Sequence, residues 1–408
     1  MKEMHSETER LAHRLTFHYA LVQMAYWVSF VCVVNFAAVV LGANGFESSM
    51  VGTIIMLAAV LSSFLQSWLG DLADRVPALT PRRITAAMTA AGVALALVLR
   101  FVPTGQAMKA VLYILVICDL YSVQPFITSM CFRYVNCGIQ VNFGLARGIG
   151  SVASACMSFA MGSLIAAHGV NISLVCFAAV YGILFVISFA FLLKKEQEAE
   201  LERTHPHPVR RKKGSVLAFF RRYGRFSLFL LGIVVLKAGN QIPFTYMNRI
   251  VENVGGTSVH LGRAIAIASV TELPVMAFSK QLIKKFGAPN LLKFCAVFFF
   301  AKAALLTFSV SIPMIYFAQS LQMLSFALLI PVATEYCNQV VRLEDQVTGQ
   351  ALTAVAINTL SSAIGNFAGG ILLQNIGLRS TLYCALACVG LGIVIFFATA
   401  RRPEEMRG

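Results

Sequence analysis

Five charged residues stand inside long apolar stretches of the sequence, where an ionised group is costly. They are Asp119, Lys237, Glu272, Lys302 and Glu335. A charge at the centre of a bilayer costs on the order of 3 kcal/mol, so such a side chain usually faces a cavity and has a functional role. A carboxyl group in a poorly hydrated site can bind and release a proton near neutral pH. These residues therefore predict proton transfer rather than covalent chemistry.

Glu272 is the leading candidate proton carrier, followed by Asp119 and then Glu335. Two positions after Glu272 comes Pro274, which frees a backbone carbonyl and can loosen the helix. Lys302 falls at a similar depth in the next apolar stretch, so a purely structural Glu272–Lys302 ion pair is the alternative. Lys302 and Lys237 complete the set of candidate proton-coupling residues.

Uncharged polar and aromatic residues form a second candidate set. Tyr19, Gln23, Tyr26 and Trp27 share much of one helix face, at i, i+4, i+7 and i+8. Similar residues in later stretches are Tyr121, Gln124, Asn240, Gln241, Tyr246, Gln319 and Gln322. Aromatic faces next to amide groups suit a polar organic solute such as a sugar, a glycoside or a nucleoside. For part of this set, interhelical hydrogen bonding is the alternative.

The elements that carry these residues are membrane helices. Of the 408 residues, 58% are hydrophobic and 12% charged, whereas soluble proteins carry about 25% charged residues. Twelve stretches approach or exceed the length of about 20 residues that a bilayer requires. We number them spans 1 to 12, at 17–42, 48–70, 84–102, 108–132, 144–167, 171–194, 225–247, 258–284, 289–311, 313–338, 347–374 and 378–400. The expected fold class is an all-α polytopic membrane protein.

A polar, strongly basic stretch at 195–224 divides these spans into six and six. The predicted domains are a tail at 1–16, a six-helix bundle at 17–194, the linker, a second six-helix bundle at 225–400, and a tail at 401–408. Spans 5 and 11 end in similar sequences, GSLIAAHG and GILLQNIG. Two parallel six-helix repeats with a central site between them are a recurrent transporter design.

The basic residues predict the orientation of the chain. With the N-terminus inside, most of the 33 Lys and Arg residues fall on the cytoplasmic side. The outer side receives Arg100, Lys109, Arg249, Arg263 and Arg379. Both termini are then cytoplasmic, in a multi-pass protein of the inner membrane. This asymmetry accounts for the net charge of +15, so we expect lipid and a small-molecule substrate as partners, no nucleic acid, and a monomer.

Cofactor chemistry is not indicated by the sequence. The ten cysteines lie in or near apolar stretches without a CxxC pair, and no HExxH motif or other metal-ligand spacing occurs. No nucleotide-binding motif is present, so ATP is not expected to be the direct energy source. We therefore expect no metal and no cofactor, with the proton as the coupling ion.

The stretch GDLADR at 70–75 resembles the signature between helices 2 and 3 of the major facilitator superfamily. Gly70, Asp74 and Arg75 match that pattern, and Arg82 and Arg83 supply its basic end. The spacer VPALTP departs from it, because the family has a short glycine-containing turn there. The resemblance implies that Gly70, Asp74 and Arg75 help to hold the cytoplasmic side closed. A basic loop that only sets the topology is the alternative.

A second stretch, NFGLARGIGS at 142–151, is similar to the start of helix 5 in the lactose permease branch of this superfamily. That branch contains proton-coupled symporters of oligosaccharides and nucleosides. The resemblance implies that Arg147 binds sugar, since a guanidinium fork suits paired hydroxyl groups or a carboxylate. An arginine that extends from the first helical turn into the cytoplasm is the alternative.

The sequence also departs from that branch. Ser154 stands where the branch stacks a Trp on the sugar, and Gln322 and Ser325 replace its helix-10 His and Glu. Lys302 keeps the charge of its helix-9 arginine, and Glu272 lies about one turn from its helix-8 glutamate. The positions of its charged pairs are mostly neutral here, at Asn240, Gln319 and Asn358. We therefore expect a relative with a rebuilt site.

These observations predict a secondary active transporter. The leading hypothesis is a proton-coupled symporter that imports a small polar organic solute by alternating access. A facilitative carrier or a proton-antiport exporter of the same fold is the alternative. A membrane enzyme or a receptor would need a cluster of catalytic groups near one face or a ligand-binding domain outside the membrane, and the sequence shows neither.

Overall fold

The computed structural model describes residues 2–76, 78–136, 139–190 and 216–400. Within these ranges every regular element is a helix, so the all-α prediction is confirmed. Most of the predicted linker, up to residue 215, and the predicted tail at 401–408 lie outside the described residues.

The first six spans follow the predicted order. Span 1 consists of Lys2–Phe30, a π-helical turn at Val31–Asn35, and Ala37–Ala43, so its helix begins well before the predicted start at 17. Spans 2 to 6 are Ser48–Arg75, Pro81–Phe101, Gln106–Asn136, Phe143–His168 and Ile172–Ala190.

The last six spans contain more interruptions. A short helix, Val216–Arg222, precedes span 7, which consists of Gly224–Thr245 and Met247–Asn253. Spans 8 and 9 are Ser258–Phe286 and Ala288–Thr307. Span 10 consists of Ile312–Ser320, a 3₁₀ turn at Leu321–Met323, and Phe326–Val340. Spans 11 and 12 together cover Gln346–Ala354, a π-helical turn at Val355–Leu360, and Ser361–Thr399.

Spans 11 and 12 are separated by one residue. Eleven helical segments in the described part of the chain are long and apolar enough to cross a membrane, and the last of them covers 54 residues, Gln346–Thr399. At 1.5 Å per residue that is far more than a bilayer needs. Gly377 interrupts this segment with φ 75° and ψ 176°, a conformation that glycine adopts without steric cost. The described part of the chain therefore forms twelve membrane spans, the last two within this one helical segment.

The spacer between spans 2 and 3 forms a capped turn. The Thr80 side chain accepts a hydrogen bond from the Arg83 backbone N–H, and Pro81 occupies the first helical turn of span 3. The Arg83 guanidinium donates to the Ala78 carbonyl at 2.9 Å. Part of the unusual spacer is thus explained as a helix start, because capping residues and proline both favour a helix N-terminus.

The contacts between residues divide the chain into two compact units. Unit 1 contains residues 1–36, 61–157 and 171–211. Unit 2 contains residues 37–60, 158–170 and 212–408. Unit 2 therefore combines the last six spans with one end of spans 1, 2 and 5, which the orientation prediction places at the outer side. The predicted division into two six-helix bundles stays a prediction.

Four glycines bring helix backbones into close contact at that end of unit 2. A Cβ atom on Gly52 of span 2 would lie 2.1 Å from the Asn366 carbonyl oxygen of span 11, and one on Gly370 would lie 2.4 Å from that of Ser48. Span 5 packs on span 8 in the same way, through Gly162 and Gly262. Small residues allow such close packing in a membrane, so these ends of spans 2 and 5 are held tightly against spans 11 and 8.

The short helix Val216–Arg222 is anchored at the other end of unit 2. Phe219 is buried in the core of that unit, whereas Leu217 on the same helix is 73% exposed. Arg222 donates to Asp345 at 2.9 Å, and the Tyr223 hydroxyl donates to the same carboxylate at 2.9 Å. The hydrogen bonds from Tyr223 and Arg222 lower the pKa of Asp345 below its ordinary value. The helix therefore presents an apolar side to its surroundings, as an interfacial helix does.

Candidate functional site

The aromatic face predicted on span 1 forms a ladder of side-chain hydrogen bonds in unit 1. The Gln23 amide donates to the Tyr19 hydroxyl at 2.7 Å, and the Trp27 indole N–H donates to the Gln23 carbonyl oxygen at 3.0 Å. Each bond joins residues four apart, which lie next to each other on a helix. The ladder fixes the orientation of the Trp27 ring.

Arg147 of span 5 completes this arrangement. Its guanidinium carbon lies 3.8 Å from the centre of the Trp27 ring, and it donates to the Ser151 hydroxyl at 2.9 Å. Such stacking on tryptophan is a favourable cation–π interaction. Spans 1 and 5 approach closely because residue 150 is a glycine, whose Cβ would lie 2.9 Å from Trp27. We call Tyr19, Gln23, Trp27, Arg147 and Ser151 the aromatic cluster.

Arg147 lies half-buried against Trp27 of span 1, and its role in solute binding stays a prediction. Ser154, at the place of the Trp that lactose permease-like proteins stack on sugar, is buried. The aromatic surface beside the arginine comes from Trp27 of span 1 instead.

Three other predicted residues of unit 1 differ in how closely they pack against the aromatic cluster. Tyr26 packs edge-on against Trp27, with ring centres 5.2 Å apart. Tyr121 of span 4 packs against Phe30, which follows Trp27 by three residues on span 1, and their ring centres are 5.9 Å apart. Gln124 donates within its own helix to Thr128 at 3.4 Å. Tyr26 and Tyr121 thus extend the aromatic surface, and Gln124 makes a local contact.

The predicted Glu272–Lys302 pair is bridged by a third residue. The Lys302 ammonium donates to the Gln322 carbonyl oxygen, and the Gln322 amide donates to the Glu272 carboxylate at 3.1 Å. Lys302 and Gln322 are buried, and Glu272 is half-buried. Spans 9, 10 and 8 are thereby joined in one relay of charge-assisted hydrogen bonds, which are stronger than neutral ones.

A break in span 10 places Gln322 in this relay. Leu321–Met323 form a 3₁₀ turn, and Ser325 has non-helical angles of φ −102° and ψ −87°. The Ser325 hydroxyl donates to the carbonyls of Leu321 at 2.9 Å and Gln322 at 3.3 Å. A 3₁₀ segment inside a long helix often marks a functional hinge.

Lys237 of span 7 is the second buried cation of unit 2. Its ammonium lies 4.0 Å from the ring centre of Phe326 and 5.9 Å from that of Phe299. Glu272 interacts electrostatically with both Lys237 and Lys302. We call Lys237, Glu272, Lys302, Gln322 and Phe326 the charged cluster.

The remaining amide residues of unit 2 differ in their partners. Gln241 donates to the Thr245 hydroxyl at 3.1 Å and accepts from Ser362 at 3.5 Å, so it joins spans 7 and 11. Asn240 and Gln319 are buried, and the side-chain oxygen of each has no hydrogen-bond donor among the described residues. Buried polar atoms are rarely left unpaired without a functional reason.

Two candidate proton carriers lie outside both clusters. Asp119 is buried in unit 1 and accepts from the Tyr181 hydroxyl at 2.8 Å, opposite Gly92, whose Cβ would lie 2.6 Å from that carboxylate. It thus packs among spans 3, 4 and 6. Glu335 accepts from Gln339 at 2.9 Å, one turn along its own helix.

The predicted gate residues lie at the end of span 2. Asp74 and Arg75 are exposed and Gly70 is half-buried. Their predicted role in holding the cytoplasmic side of the transporter closed stays a prediction.

The sequence argument missed Ser151, Phe326 and the glycines at the close helix contacts. Ser151 carried a signal, because it stands four residues after Arg147 on the same helix face. Phe326 carried none, as one of 31 phenylalanines. The glycines gave no signal of their own, and only the backbone distances single out Gly52 and Gly162.

Comparisons with known proteins agree with this architecture. The model of the MFS_1 like family matches residues 16–384. The chain is 25% identical to a maltose permease of Geobacillus stearothermophilus over 181 residues, which cover 44% of this chain and 45% of the permease. The match therefore spans less than half of that relative. An uncharacterized transporter of Bacillus subtilis (strain 168), YwbF, is 23% identical over 290 residues, 69% of this chain and 68% of YwbF.

Solved structures of similar fold cover nearly the whole chain. The nucleoside transporter NupG aligns with a TM-score of 0.77 at 15% identity, over 97% of this chain and 98% of NupG. A bacterial homologue of the human lysosomal transporter Spinster aligns with a TM-score of 0.68 at 12% identity, over 97% and 98%. At these identities the likeness establishes the shared fold and nothing more specific.

Proposed function

The chain belongs to the MFS_1 like family, and on that premise we propose that it is a proton-coupled symporter of a small polar organic solute. Its membership and its major facilitator fold make it a membrane transporter and not an enzyme. The proposal adds the coupling ion, the direction of transport and the class of solute.

The observation that carries the proposal is the relay of the charged cluster. It keeps a carboxylate, Glu272, inside the membrane-spanning part of the protein and ties it through Gln322 to Lys302. A proton that binds Glu272 would remove the charge that orders this relay. Because Gln322 lies at the break in span 10, protonation would act on the part of that helix best suited to move.

The aromatic cluster supports a polar organic solute. A stacked guanidinium and an indole offer donors next to an aromatic face, which is a surface that sugars and nucleobases fit. Two similar proteins are named for solutes of this kind, a maltose permease and a nucleoside transporter. We propose a sugar, a glycoside or a nucleoside as the solute class.

Alternating access supplies the transport mechanism in this proposal. Within unit 2 the glycine contacts hold the ends of spans 2 and 5 against spans 11 and 8. We assign these ends to the outer side, with both termini in the cytoplasm of a cell whose inner membrane holds the protein. Separation of these contacts would then open the outer side.

A facilitative carrier or a proton-antiport exporter is the second candidate. It is favoured by Gln322 and Ser325, which stand where lactose permease-like proteins have the His and Glu of proton coupling. Neither a glutamine nor a serine titrates near neutral pH. If the protein is a symporter, we therefore expect Glu272 to carry the coupling proton.

Uptake into proteoliposomes tests the proposal. Radiolabelled maltose, glucuronate and uridine are offered to vesicles of the full chain, with and without an inward proton gradient. We expect the gradient to drive accumulation of one probe. Glu272→Gln should abolish accumulation while equilibrium exchange continues, and Glu252→Gln, an exposed carboxylate near Arg249, is the matched control. Accumulation that ignores the gradient and survives Glu272→Gln would refute symport, and proton-driven efflux would favour the exporter.

A further inference from the structure

The charged cluster holds more positive than negative charge. Lys237 and Lys302 are 6% and 2% exposed. Glu272 is the carboxylate that interacts electrostatically with both of them, and the described groups around the two lysines offer no second one. Buried charges are ordinarily paired, because an unpaired one costs several kcal/mol. The two lysines share this one carboxylate, so the charged cluster has one formal positive charge in excess.

Lys237 also lacks a hydrogen-bond acceptor among the described residues. Its nitrogen faces the ring of Phe326 at 4.0 Å, and no side-chain or backbone oxygen accepts from it there. This deficit does not depend on protonation, since the ammonium has three N–H donors and the neutral amine has two. An aromatic face partly stabilises a cation, but it gives Lys237 no directional partner.

Two buried acceptors lack a donor in the same part of unit 2. Asn240, one turn after Lys237, is 4% exposed, and Gln319, one turn before Gln322, is 2% exposed. The side-chain oxygen of each has no donor among the described residues. Residues three apart lie on the same helix face, so Asn240 shares a face with Lys237, and Gln319 shares one with Gln322. A ligand that satisfies all of these groups needs an anionic acceptor and hydroxyl or N–H donors.

We infer that the charged cluster binds the anionic group of the transported solute, which is therefore a small organic acid bearing hydroxyl or N–H groups. This inference rests on the proposed transport function and narrows its solute class to acidic members, such as sugar acids. The acid group pairs with Lys237, and the donors of the solute reach Asn240 and Gln319.

Binding of matched acids and neutral analogues tests the inference on the unmodified protein. Purified full-length chain in detergent is titrated with glucuronate, its methyl ester, glucose and gluconate, and thermal stability is followed, since a ligand that binds the native state raises it. We expect the two acids to bind at least about tenfold more tightly than the ester and glucose, as a lost charge-assisted bond predicts. Equal binding of acid and ester would overturn the inference and leave the proposed function intact.

Variants of Lys237 then test whether this residue causes the preference for acids over esters. Lys237→Met should reduce the ratio of acid to ester affinity to about one, and Lys237→Arg should keep the preference. Lys293→Met, a lysine of span 9 that contacts Phe397, is the matched control and should not alter the ratio. If Lys237→Met still binds acids more tightly than esters, the acid group binds elsewhere and its assignment to Lys237 is refuted.

A last set of titrations compares inorganic anions with the organic acids. Chloride and phosphate are titrated alone, and they should raise the stability far less than glucuronate does. A response to inorganic anions with none to organic acids would overturn the substrate assignment. Acids that bind through Lys237 but never enter vesicles would contradict the proposed transport while leaving the anion site in place.

Discussion

The aromatic cluster of unit 1 and the charged cluster of unit 2 differ in how their polar side chains are held in place. Both place polar groups in a membrane-spanning part of the protein. The aromatic cluster links Tyr19, Gln23 and Trp27 along one helix and adds one arginine from span 5. The charged cluster draws one residue each from spans 7, 8 and 9 and two from span 10, and it depends on a broken helix for Gln322.

The difference concerns how each cluster can respond to a ligand. The aromatic cluster is held by local bonds between residues four apart, so it is preorganised and should change little when a solute binds. The charged cluster is held between helices, so a change in one proton or one ligand alters contacts among several spans. We expect the first cluster to contribute affinity and the second to couple binding to movement.

The largest expected effect comes from breaking the relay of the charged cluster. Lys302→Met removes the ammonium that donates to Gln322 in the relay, and removal of one partner from a buried charged network costs about 3 kcal/mol. We expect a clear drop in the thermal unfolding temperature of the purified protein. The double variant Lys302→Met with Glu272→Gln should lose less stability than the sum of the two single losses, because both residues act through the same relay. Strictly additive losses would show that the two residues do not interact.

A smaller effect is expected in the aromatic cluster. Trp27→Leu removes the stacking surface of Arg147 and the indole donor to Gln23, and we expect about tenfold weaker binding of the probe that the vesicles accumulate. Trp68, the other of the two tryptophans, is 61% exposed and serves as the control through Trp68→Leu. In a Trp68→Phe background, Trp27 fluorescence should respond to that probe. A silent signal together with unchanged affinity would remove Trp27 from the solute site.

The smallest effect is expected at the buried carboxylate of unit 1. Asp119→Asn keeps an oxygen that can accept from Tyr181, so we expect a loss of stability of about 1 kcal/mol or less. Proton-driven uptake should stay at the level of the unmodified protein, in contrast to Glu272→Gln. If Asp119→Asn also abolishes the response to the gradient, both units carry coupling protons and the contrast between the two clusters fails.

The features that follow a helical period could be predicted from the sequence. The ladder on span 1 follows from spacings of four, and Glu272 and Lys302 were placed together because both fall at mid-span. The bridging of that pair by Gln322 could not be predicted, since it depends on the 3₁₀ turn at Leu321–Met323. The stacking of Arg147 on Trp27 depends on how closely spans 1 and 5 approach at Gly150.

The sequence by itself determined that the chain is a membrane protein with twelve spans, because each span must be long and apolar enough to satisfy its own backbone inside a bilayer. It also indicated several of the charged residues that are buried, among them Asp119, Lys237 and Lys302. The tertiary structure decided which of them meet. Interhelical contacts depend on backbone approach and on local helix breaks, and both arise from packing between residues that are distant in the chain. That is why Glu272 and Lys302 form part of one relay, and why Asp119 pairs with Tyr181 instead.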